Sequence, residues 1–80
     1  MIARHDLETA IKRVMADVLD LDVDGIQDET SSGNTPKWDS ANHIQLMLAL
    51  EEEFSISLEV AEFESMLSYA EIVKTVRAKR

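Results

Sequence analysis

Eighty residues make one domain, too short for two cores, and 45% hydrophobic with 30% charged residues suits a folded chain rather than a disordered one. Sixteen acids against eight bases give a net charge of −8. No cysteine, two isolated histidines and no apolar run longer than Leu46 to Leu50 argue against a disulfide frame, a thiolate zinc site, a nucleophilic triad and a membrane span. Met1 to Glu8 shows no signal-peptide apolar stretch. Two Gly, one Pro and 5% aromatic residues favour helices over strands and turns.

The first helix is predicted from Leu7 to Leu19. Leu7, Ala10, Ile11, Val14, Met15, Val18 and Leu19 recur at helical spacing, Asp6 suits the N-cap, and Glu8 can pair with Lys12 one turn on. Residues 20–39 have no helical period and carry Gly25, Gly33, Asn34 and Pro36. So long a loop signals function or an embedded helical turn, with Val23, Ile26 and Trp38 as its anchors onto the core. The second helix is predicted from Ser40 to Phe54, with Ile44, Met47, Leu48 and Phe54 on its buried face and Leu50 at the flank. Ser57 to Ser65 reads as a short third helix, with Val60 and Phe63 three apart. The last helix opens at Ser68, with Glu71 completing a capping box and Tyr69, Ile72, Val73 and Val76 facing inward. The expected fold is all-α: one domain over residues 1–80, a small four-helix bundle with a long first loop and a short third helix.

The charge is uneven. Trp38 to Val73 holds eight acids (Asp39, Glu51, Glu52, Glu53, Glu59, Glu62, Glu64, Glu71) and no Lys or Arg, whereas the last residues are basic. Such a surface disfavours nucleic acid and attracts a basic protein partner, or simply keeps a small domain in solution.

Two stretches bear on chemistry. Asp20-Leu21-Asp22-Val23-Asp24-Gly25 matches the opening half of an EF-hand loop. Counted from Asp20, the position of the bidentate acid is Ser31, the usual apolar position is Gln27, and no exiting helix follows. A calcium-binding helical module remains one alternative function, and an unmodified helical interaction domain another. The second stretch is Trp38-Asp39-Ser40, which closes the loop and opens the second helix. Asp39 can cap that helix, and a phosphate ester on Ser40 is favoured by the positive helix end by about 0.3–1 kcal/mol.

Asp39-Ser40 stands at a fixed distance from Leu48-Ala49-Leu50-Glu51-Glu52-Glu53-Phe54, and a short acidic helix and a capped helix follow. This combination resembles the acyl carrier protein family over essentially the whole chain. The resemblance implies that Ser40 accepts 4′-phosphopantetheine from coenzyme A through a phosphopantetheinyl transferase with magnesium, and that Asp39 is the acid preceding it. The arm's thiol then holds acyl groups as thioesters, so the chain is a non-enzymatic shuttle and needs no cysteine. The implied partners are acyl-loading and acyl-using enzymes with basic docking surfaces that meet Glu51, Glu52 and Glu53. These three acids stand in the last turn of their helix, where they oppose the macrodipole with no Lys or Arg one turn upstream. A cytoplasmic monomer working in fatty-acid-like or specialised lipid and secondary-metabolite biosynthesis is expected. The chain departs from the family at Ala41, where Leu is usual, at Asn42 and Gln45, where acids are common, and at Pro36-Lys37-Trp38 before the serine. With the Trp-Asp-Ser form, these changes point to stand-alone carriers of specialised pathways. His43, one turn beyond Ser40, is a candidate contact for the arm, His5 belongs to a frayed end, and Met15, Met47 and Met66 are core filler.

Overall fold

The computed structural model describes residues 4–79, with side chains from Leu7 to Lys79. Four α-helices form among them: α1 (Arg4–Leu19), α2 (Ser40–Phe54), α3 (Val60–Ser65) and α4 (Tyr69–Lys79). The long loop holds one 3-10 turn, Val23–Gly25. The all-α bundle with its short third helix is therefore observed.

Helix α1 buries Leu7, Ile11, Met15 and Leu19, each four residues from the last, and packs half-buried Val14 and Val18 beside them. Each such buried side chain contributes about 1.5–3 kcal/mol. The helix begins at Arg4, so Asp6 lies within it rather than capping it. The side chains of His5 and Asp6 lie outside the described residues. At the other end Asp20 takes a left-handed conformation (φ 55°), and the Leu21 N–H donates to the Ala16 carbonyl at 3.0 Å. Helix α2 closes the same way, with Ser55 left-handed (φ 53°, ψ 48°) and the Ile56 N–H reaching the Glu51 carbonyl at 3.1 Å. Both are αL terminations at positions where glycine is usual.

The core is a single cluster from α1, α2 and α4, completed by Ile26 and Trp38 of the loop and Met66 before α4. Met15, Met47 and Met66 are all fully buried in it. The α2 face differs from expectation. Leu46, Met47 and Leu50 are buried, while Ile44 and Leu48 are each 53% exposed. Apolar residues surround this helix, so the pattern alone does not choose the inward stripe; packing against α1 does. Val23 and Val60 are likewise exposed, the latter at 76%, because α3 starts at Val60 with its back to solvent.

Backbone bonds stitch the long loop to α4. The Tyr69 N–H donates to the Thr30 carbonyl at 2.8 Å and the Ser32 N–H to the Leu67 carbonyl at 2.9 Å, forming an isolated antiparallel bridge between Ser31 and Ser68. Side chains complete the loop: Thr30 Oγ1 accepts the Gln27 N–H, Asn34 Oδ1 accepts the Ser31 N–H, and Asn34 Nδ2 donates to the Glu29 carbonyl. At the start of α4, Ser68 Oγ accepts the Glu71 N–H at 3.2 Å. Arg77 and Lys79 stand in its last turn, where positive charge suits the helix dipole.

Candidate functional site

Ser40 is exposed and is the first residue of α2. Asp39 precedes it in an extended conformation (φ −93°, ψ −177°), and its Oδ1 accepts the Asn42 N–H at 2.9 Å. That bond satisfies one of the free donors of the first turn, and the carboxylate stands at the positive end of the dipole. The Ser40 hydroxyl is thus held at a helix mouth in contact with water.

The approach to Ser40 is fixed from both sides. Trp38 is only 3% exposed, and its backbone N–H closes a turn onto the Thr35 carbonyl at 2.9 Å. Lys37 turns the other way: its Nζ donates to Asp20 Oδ2 at 2.9 Å and to the Asp20 carbonyl at 3.1 Å. The Lys37 carbonyl in turn accepts Asn42 Nδ2 at 2.8 Å. Asn42 therefore binds the loop directly to the helix.

Asp20, Asp22 and Asp24 do not converge. The Asp20 carboxylate is turned to Lys37, and among the described residues no group of three or more metal-ligating side chains stands together. The calcium-module alternative thus lacks a ligand cluster. The half-motif reflects a 3-10 turn between extended residues, with Asp22 at its start and Ile26 at its end.

His43 lies on α2 one turn beyond Ser40, half-buried. Its Nδ1 is 2.9 Å from Trp38 Nε1, and its Nε2 is 2.6 Å from the Phe63 carbonyl oxygen. While those bonds hold, neither ring nitrogen is open to a phosphate oxygen.

The three glutamates of α2 are not equivalent. Glu51 is half-buried, and its Oε2 accepts the Leu58 N–H at 2.8 Å, tying the end of α2 to the segment before α3. Glu52 and Glu53 are exposed and, with Asp17, Arg13, Val14, Val18, Leu48 and Ala49, line a groove of about 580 Å³ between α1 and α2. The sequence reading assigned Ile44 and Leu48 to the core; both are exposed, and Leu48 lines the groove. They follow Ser40 at steps of four, a signal for one continuous helical stripe leading from the hydroxyl to Glu52.

No family profile matches the chain. It is similar to an acyl carrier protein of Clostridium acetobutylicum, 34% identical over 68 residues, which cover 85% of this chain and 88% of the relative. Among the described residues no helix is long and apolar enough to cross a membrane.

Proposed function

The chain belongs to the acyl carrier protein family, and we propose that it is a cytoplasmic, monomeric carrier bearing 4′-phosphopantetheine on Ser40. Such a chain carries cargo and leaves the chemistry to other proteins. The observation that supports this reading best is the exposed Ser40 hydroxyl at the capped start of α2, behind a loop pinned by Trp38 and Lys37. In the attachment, the hydroxyl oxygen bonds to the phosphorus that carries pantetheine in coenzyme A, and the bond from that phosphorus to the nucleotide half breaks. The serine proton passes to a base of the transferase. The resulting phosphodiester is anionic and stands where the helix dipole favours negative charge. The arm's thiol, the only one in the assembly of chain and arm because the chain has no cysteine, then holds the cargo as a thioester.

Partners dock on the stripe from Ser40 through Ile44 and Leu48 to Glu52, with Glu53 and Glu51 adding charge beside it. Exposed apolar area at the centre supplies contact energy, and the acids steer a basic partner surface. The Trp-Asp-Ser form and the polar Asn42 and Gln45 suit enzymes of a specialised pathway. The test is transfer of a fluorescent pantetheine from labelled coenzyme A by a promiscuous transferase with magnesium. One label per chain is expected, and none on Ser40→Ala; a label that survives that substitution contradicts the assignment.

A further inference from the structure

Trp38 and His43 flank Ser40, one in the loop and one a turn into α2. The Trp38 Nε1–H donates to His43 Nδ1 at 2.9 Å, and the two rings stack with centroids 6.1 Å apart and 29° between their planes. On the far side of the imidazole, Nε2 faces the Phe63 carbonyl of α3 at 2.6 Å. An indole N–H only donates, so Nδ1 must accept. A carbonyl only accepts, so Nε2 must carry the hydrogen. The chain of bonds therefore requires a neutral imidazole in the Nε2–H form.

We infer that Trp38, His43 and the Phe63 carbonyl form a proton-sensitive strut that holds the segment carrying Ser40 against α3, with His43 acting as a positioning residue. A second proton on the ring sets two N–H donors against each other, and the nearly buried indole loses its acceptor. Helix α3 depends on such ties because it has six residues and none of them is fully buried. A helix that short does not sustain itself in water. Its other ties are Glu62 Oε1 accepting the Glu59 N–H at 2.9 Å, the Glu62–Lys79 ion pair at 2.9 Å, and Phe63 packed on the core. The charged groups nearest in the chain to the three residues are Lys37 and Asp39 before α2, Glu59 at the cap of α3, and Glu62 and Glu64 within it, with Lys79 of α4 paired to Glu62. Lys37 is engaged with Asp20, Asp39 with Asn42, and Lys79 with Glu62. Titration of the ring therefore acts first on the bonds to Trp38 and Phe63.

The strut stands independently of any modification; its consequence for Ser40 rests on the carrier reading. The first test is heteronuclear NMR on unmodified protein. At neutral pH we expect the Nε2–H tautomer at His43 and a Trp38 indole proton that exchanges about tenfold more slowly than in His43→Ala, as fits one lost hydrogen bond. Acidifying the solution until the ring carries a second proton should abolish that protection. Exchange of the Phe63 and Met66 amides should then rise together by about tenfold. His43→Asn offers a non-titrating oxygen acceptor and should keep the indole protected throughout. Trp38→Phe removes the donor but keeps a ring, and if His43→Ala does not fold it serves through the Phe63 and Met66 amides, which should exchange faster in it at neutral pH. An Nδ1–H tautomer, or indole protection indifferent to acid in the unsubstituted protein, overturns the strut. The second test is transferase kinetics, in which Trp38→Phe should raise KM about tenfold with kcat unchanged. An unchanged KM overturns the positioning role, while failure to label even the unsubstituted protein removes the carrier reading and leaves the NMR result standing.

Discussion

Asp39 does two jobs that substitution can separate. It caps α2 through Oδ1, and it gives the site negative charge beside Ser40. Asp39→Ala is expected to cost about 0.5–2 kcal/mol in urea unfolding, the range for a lost cap. Asp39→Asn keeps an accepting oxygen and should leave stability within a few tenths of that of the parent, yet slow transfer of pantetheine to Ser40. Equal labelling of the Asn variant and the parent would show that the charge serves the helix alone. The C-terminus of the same helix offers a contrast. Ser55 occupies a left-handed conformation that a Cβ disfavours. Ser55→Gly should raise the unfolding free energy by about 1 kcal/mol, measured by thermal or urea melting. The opening of α2 was legible in the sequence because Asp39 is a strong capping residue next to a helical pattern. Its closing was not legible, because Ser55 carries no glycine-like signal.

At the level of elements, α2 packs on α1 and is tied by Glu51 to the segment before α3, and its acids divide accordingly. Glu51→Ala removes the acceptor of the Leu58 N–H and should destabilise by about 1 kcal/mol. Glu52→Gln and Glu53→Gln relieve charge at the negative helix end and should be neutral or stabilising by about 0.3 kcal/mol each. The same two variants should weaken binding to a basic partner, with a smaller salt dependence than the parent; titration by calorimetry at two ionic strengths decides this. The sequence showed three adjacent acids and could not separate them, because the bond from Glu51 spans seven residues and depends on how the chain turns after Ser55. On α2 periodicity placed Met47 and Phe54 correctly but not Ile44 and Leu48, because two stripes of four-residue spacing, Ile44–Leu48 and Leu46–Leu50, are offset by two residues and compete for the core. It succeeded on α1 and α4, where only one stripe is apolar. Helix α3 carries an acid dependence of its own. The Glu59 backbone N–H, then the bond and charge of Lys79, hold the Glu62 carboxyl below the usual glutamate range, against a small opposing effect of burial. A lowered value means that this contribution is present above the ordinary glutamate range and is lost as pH falls through the lowered one. Glu62→Gln should therefore flatten the acid limb of α3 amide exchange, separately from the imidazole step.

For the whole molecule, Tyr69 joins α1, the long loop and α4. Lys12 Nζ lies 5.4 Å from its ring centroid, and its buried hydroxyl meets no hydrogen-bond partner among the described residues. Burial first, then the charges of Glu8 and Asp28 with Arg77 opposing, push the phenol up to about 12. A raised value keeps the stabilising neutral form intact below the ordinary value of 10.0, and stability falls as pH rises from there towards about 12. Tyr69→Phe should remove that alkaline loss and, by deleting an unsatisfied polar atom while keeping the ring, raise stability at neutral pH by about 1 kcal/mol. Bundle, helix order and the place of Ser40 could be read from composition, caps and spacing, since each rests on local chemistry. The Trp38–His43–Phe63 chain and the exposed stripe could not: the first arises only when α3 and the long loop close on α2, the second only when α2 packs on α1. The carrier function proposed for the molecule rests on one exposed hydroxyl, that of Ser40. Intact-mass and fragmentation spectrometry of the chain recovered from its own cells tests this most directly. The account expects a population heavier by one phosphopantetheine, with or without acyl cargo, and the added mass on the peptide containing Ser40. A chain recovered only at its bare mass, or with the addition on another residue, would contradict it.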